Sequence, residues 1–147
     1  MPTPLGNLRT NVEAWVLAGP IAATALSASA VADNKVLSAD FRVPSGELKY
    51  SVAVGLATQT GDSNVNYSSA EVRIRIHYNP PLASDATTFM EDHLWTIGLV
   101  LLDRAQWRAN VANEFYEVTG GPEAAFPEIE GNVITVEYVA IVSILQS

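Results

Sequence analysis

Few side chains in this sequence have the type and spacing that chemistry requires. Glu91, Asp92 and His93 stand together, and His77 ends a strand-like run, so a fold joining them would make a four-ligand metal site. The spacing is not a His-Glu-x-x-His pattern, in which one helix face presents both imidazoles. Acidic residues at 91 and 92 also suit the first turns of a helix, whose exposed amides favour negative charge. The structural reading is therefore preferred, and no metal ligand is assigned. No serine lies in Gly-x-Ser-x-Gly, and no catalytic triad can be selected. Gly120-Gly121-Pro122 lacks the Lys and Ser/Thr of a phosphate-binding loop. With no cysteine, disulfides, thiolate nucleophiles and zinc-thiolate sites are excluded. No catalytic residue or cofactor is assigned, and enzymatic activity is not expected.

Arg73, Arg75 and His77 form a short basic row on alternate residues. Net charge is −8 and the pI is about 4.5. Gripping nucleic acid needs clustered Lys and Arg against the phosphates. The row is therefore read as a solvated sheet face, or as a contact with acidic residues of a neighbouring subunit. Trp15, Trp95 and Trp107 are read as packing residues rather than a ligand cage.

The elements that must position these residues are legible from periodicity. Ala70, Val72, Ile74, Ile76 and Tyr78 alternate with Glu71, Arg73, Arg75 and His77, which predicts a strand with one buried and one wet face. Asn79-Pro80-Pro81 ends it, because proline lacks a donor and restricts its predecessor. Ser84 or Asp85 then caps a helix, with Phe89, Met90, Leu94, Ile97 and Leu101 on its apolar side. Upstream, Leu48 to Thr58 predicts a second strand. Leu48, Tyr50, Val52, Val54 and Leu56 share one face, and Lys49, Ser51, Ala53, Gly55 and Ala57 the other. Small residues on that second face suggest close approach by another element or subunit. Gln59 to Asn66 is read as a polar loop joining the strands as a hairpin.

Toward the N-terminus, Thr3-Pro4 opens a helix with a Leu5, Leu8, Val12, Trp15, Val16 stripe, and Gly19-Pro20 ends it. Ala22 to Ala32 fits a short helix or a connector. Phe41 to Pro44 is read as extended and Ser45-Gly46 as a turn. Ala28-Ser29-Ala30 resembles a signal-peptidase site, but a single Arg9 and the interruptions at Glu13 and Gly19-Pro20 argue against a leader. Toward the C-terminus, Glu114 to Thr119 is a short strand broken by Gly120-Gly121-Pro122. Val133 to Leu145 is a long closing strand with one wholly apolar face, and Val139 and Ile141 on the other face suggest a central or subunit-covered position. No apolar run is long enough to cross a bilayer.

The 147 residues fit one α+β domain: a mostly antiparallel twisted sheet with helices packed on one face. Charged residues are only 16% of the chain, against about 25% in average soluble domains. Much uncharged surface would be left on a small monomer, which favours association.

The order helix, hairpin, central helix, closing hairpin resembles the tail-terminator proteins of long-tailed phages, the lambda-type minor tail proteins. The similarity is carried by Ala70-Glu71-Val72-Arg73-Ile74-Arg75-Ile76, the proline break, Asp85 and Met90-Glu91 at the helix start, and Val133-Ile134-Thr135-Val136-Glu137-Tyr138-Val139. It covers roughly Leu5 to Leu145 as an order of elements. The resemblance implies a structural virion protein of the tail and neck, assembled in the host cytoplasm. Such proteins form a hexameric ring on the head-proximal end of the tail tube, stop its polymerisation and dock the head connector or stopper. DNA passes through the channel without specific binding, and an acidic channel would repel phosphates. No membrane partner is implied. Glu71, Arg73, Arg75, Ala53, Gly55, Val139 and Ile141 are the expected contact residues of such a ring, with opposite charges on adjacent subunits setting the register. The alternatives are another neck or head-completion protein, or an α+β ligand-binding domain or enzyme using His77 and His93.

Overall fold

A computed structural model of the chain describes residues 4–32, 41–62 and 65–146. Helix α1 (Pro4–Val16) buries Leu8, Val12 and Val16 at spacing four, with Leu5 and Trp15 partly covered beside them. The helix does not end at Gly19-Pro20. It runs on as a π turn (Leu17–Ile21) and a 3₁₀ turn (Ala22–Thr24). A proline ring collides with the carbonyl four residues back, and the wider π turn accommodates it without breaking the rod. Termination comes at Ala25, which is left-handed with φ 59°. The Thr24 hydroxyl donates to the Ile21 carbonyl and accepts from the Leu26 amide, satisfying groups that the helix end leaves orphaned.

The sheet has strands β1 (Ser27–Ala30), β2 (Glu47–Asp62), β3 (Val65–Tyr78), β4 (Tyr116–Ala124), β5 (Glu128–Glu130) and β6 (Val133–Gln146). Their spatial order is β1-β2-β3-β6-β4, with β5 also on β6. Only β1 is parallel to its neighbour; the rest is antiparallel. The class is α+β with a mixed, mostly antiparallel sheet. The segment resembling a signal-peptidase site is β1, held on the edge of β2. Of the ambiguous 22–32 stretch, the first part is 3₁₀ and the later part strand. Residues 33–40 lie outside the described residues.

Two expected interruptions are absent. The Gln59–Asn66 loop is instead ladder: β2 continues to Asp62 and β3 begins at Val65, after one irregularity between Leu56 and Thr58. Each strand's backbone groups bond to the other's there, so the ladder runs on through a polar stretch. Nor does Gly120-Gly121-Pro122 break β4; two register shifts let it bulge and rejoin β6 at Glu123. Gly121 has φ +74°, and a Cβ there would lie 2.9 Å from the Val139 carbonyl oxygen.

After β3, Pro80-Pro81 leads into α2 (Ala83–Thr88), a π turn (Phe89–His93) and α3 (Leu94–Leu101), which form one rod. Asp85 is the capping residue, its carboxylate accepting the Leu82 amide at 3.1 Å from the third helical position. Helix α4 (Arg104–Val111) is capped by Asp103, which accepts the Ala105 amide at 2.9 Å. Helix α1 lies along β2, while α3 leans chiefly on the 17–24 turns and on α4. The rod meets the sheet at Phe89, whose ring stacks on Tyr78 at 4.6 Å, and its Ile97 and Leu101 belong to the same core as Val72, Ile74 and Ile76.

One continuous core joins this helical layer to the sheet: Ala70, Val72, Ile74 and Ile76 of β3, Ile134 to Ile144 on alternate positions of β6, Leu48 to Val52 of β2, and Phe89, Ile97, Leu101 and Trp107. Trp107 meets Trp15 edge to face at 5.1 Å and donates from Nε1 to the Leu101 carbonyl at 2.8 Å. Tyr138, also in this core, has its phenol pushed up to about 12 by burial. The far end of the β2 face does not join the core, since Leu56 is exposed.

Candidate functional site

The helices cover one face of the sheet. The other face carries the residues that alternate with the core: Lys49, Ser51, Ala53 and Gly55 of β2, Glu71, Arg73, Arg75 and His77 of β3, and Thr135, Glu137, Val139 and Ile141 of β6. Strand register brings the expected contact residues into adjacent rows. Ala53 pairs with Arg73, and Arg73 with Val139; Gly55 pairs with Glu71, and Glu71 with Ile141. All seven therefore form one patch.

Glu137 completes it. It sits directly across from Arg75 and diagonally from Arg73, the two positions from which side chains on one sheet face meet. Its Oε2 accepts from Arg75 Nε at 2.9 Å, and its Oε1 lies 3.5 Å from Arg73 Nε. Arg73 also pairs with Glu71. The result is an alternating ladder, Glu71–Arg73–Glu137–Arg75, across two strands. Carboxylates of its own chain therefore pair with both arginines of the basic row. Sequence reading missed Glu137 because its partner is 62 residues away; only the β3–β6 register reveals it. The four side chains are 20–38% exposed, so the pairs are shielded from salt more than ordinary surface pairs.

At one end this face is already closed. Ser51 and His77 are buried, the Phe41 ring stands edge-on to His77 at 5.2 Å, and Asn79 donates to the Val43 carbonyl at 2.8 Å. His77 Nδ1 lies 2.9 Å from Thr135 Oγ1, a cross-strand contact. At the other end Thr119 and Ser143 share a hydroxyl–hydroxyl bond at 3.1 Å. The middle, around Ala53, Gly55 and the ladder, is an open depression of about 320 Å³.

The remaining candidates are not assembled into a site. His77 lies on the uncovered face, while His93 lies on the helical layer next to Phe89, with the sheet between them. Among the described residues no group of three or more His, Cys, Asp or Glu could hold a metal ion. Trp95 is not a packing residue as expected: it is 69% exposed, near the exposed Leu99 and Leu102 on the outer side of α3. A second exposed apolar group was also missed, Phe126 and Ile129 at the β4–β5 connection. Both look like core residues by type, and nothing local marks them as outward-facing. Among the described residues no helix is long and apolar enough to cross a membrane. No protein-family model matches the sequence, and no curated protein matches it.

Proposed function

We propose that this protein is a structural ring component of a phage tail, a tail terminator that caps the head-proximal end of the tail tube and stops its growth. The observation that supports the reading best is the half-covered sheet. One face carries the helices, while the middle of the other presents small and apolar residues (Ala53, Gly55, Val139, Ile141) around an internally neutralised charge ladder. Covering apolar area is favourable by about 25 cal/mol per Å², and pairing within the ladder offsets part of the cost of taking its charges out of water. A ring uses two different surfaces of each subunit and leaves none open, so it ends growth where a filament would not. The ring would present one side to the tail-tube protein and the other to the head connector, with DNA passing through the channel unbound.

The test is to add the protein to its tail-tube subunits during polymerisation and measure tube lengths by electron microscopy. Tubes of limited length with a ring of density at one end are expected. Tubes that grow on unchanged, with bare ends, refute the terminator reading.

A further inference from the structure

The sheet has two unlike edges. At one, β1 covers β2 only from Glu47 to Tyr50. Past it, Val31 still donates to the Tyr50 carbonyl at 2.8 Å and residues 30–32 border Val52 to Val54, and no further strand pairs with this edge among the described residues. The depression opens at this edge, lined by Ala53, Gly55, Leu56, Glu71, Arg73 and Arg75. At the opposite edge the connection between β4 and β5 projects Phe126, which is 86% exposed, and β5 carries Ile129, 66% exposed, with the acidic residues Glu123, Glu128 and Glu130 around them. Ala125 is tied to β6 by its N–H, which donates to the Glu137 carbonyl at 3.0 Å, and β5 is tied to β6 by pairing. Phe126 is therefore presented from a braced bend.

We infer that the β4–β5 arm of one copy docks against the β2 side of the uncovered face of the next, with Phe126 seated in the depression beside Arg73 and Arg75. This rests on the ring reading and specifies its contact. Three features select a second copy as the occupant. The depression is large enough for an aromatic side chain and has an apolar rim in Ala53, Gly55 and Leu56. Its floor holds two guanidinium groups. Ion pairs with Glu71 and Glu137 engage arginine in the plane of the group, and an aromatic ring stacks on the planar face, so both can be satisfied together. The lining of the depression carries two arginines to one carboxylate, a balance that the acids flanking Phe126 match in sign. Because the two surfaces lie on opposite sheet edges, the contact is head-to-tail, the geometry that closes into rings.

The experiment uses full-length protein, Phe126→Ala and Gly55→Glu. Both positions are exposed, and a Cβ at Gly55 meets nothing within 4 Å, so the fold is expected to be retained, and circular dichroism verifies it. Sedimentation velocity over a concentration series is expected to show each variant associating at least about 30-fold more weakly, as for loss of a central aromatic anchor. A one-to-one mixture should stop at dimers, since only the Phe126 of the Gly55→Glu copy meets an intact depression. Phe126→Ala assembling like the wild type overturns the inference. So does a mixture that regains complete rings, or a wild-type protein that is monomeric in solution and on tube ends alike. Rings that depend on Phe126 but fail to limit tube length uphold this contact and refute the terminator reading. Limited tubes capped by Phe126→Ala rings do the reverse.

Discussion

Ile97→Ala tests whether α3 is oriented as described. Ile97 is fully buried, between the 17–24 turns, α4 and the Phe89 region. The change removes three carbons from a closed site whose neighbours, Leu101 and Trp107, are themselves fully buried and held by the Trp107 Nε1 bond. Poor relaxation puts the cost in the usual range for such truncations, about 2–5 kcal/mol. For a domain near 150 residues each kcal/mol shifts Tm by about 2–4 °C, so a loss of roughly 4–20 °C is expected. Leu94→Ala, at a partly buried position, should cost less, and Leu99→Ala, 57% exposed, should lie within about 0.5 kcal/mol of wild type. Thermal and urea melts of the three variants give the ranking. Equal losses at Ile97 and Leu99, or none at Ile97, would mean that the helix presents a different side to the core.

Tyr138 makes the fold sensitive to alkali. Its phenol ionises at about 12 in the fold against 10 in the unfolded chain, so the folded state holds the proton more tightly. The associated stability is complete below pH 10 and is lost as pH rises through 12, up to about 3 kcal/mol. Urea unfolding should show this decline, and Tyr138→Phe should shrink it; an unchanged slope would refute the assignment. At the β4 bulge, Gly121→Ala forces a left-handed residue and a contact with the Val139 carbonyl, and should cost about 1–3 kcal/mol in the same assay. Gly55→Ala, with open space at its Cβ, should cost no more than about 1 kcal/mol.

Local periodicity determined much of this protein by itself. The alternation from Ala70 to Tyr78 identified which side chains enter the core, because a two-residue repeat fixes the face whatever the partner strand. The stripe of α1 and the proline stop at Asn79-Pro80-Pro81 were legible for the same reason: they depend on neighbours three or four residues away. The patch of Ala53, Gly55, Glu71, Arg73, Arg75, Val139 and Ile141 could be anticipated as a set of faces, strand by strand. Its assembly could not, since Val139 and Ile141 join it only through the register of β6 on β3, between residues more than 60 positions apart. Tertiary structure alone placed Glu137 between two arginines, put the sheet between His77 and His93, carried α1 through Pro20 as a π turn, and kept β4 in the ladder past Gly120-Gly121-Pro122. It also turned Trp95 and Phe126 outward. An aromatic residue is apolar in any sequence, and whether it is buried is decided by what the fold leaves to cover it.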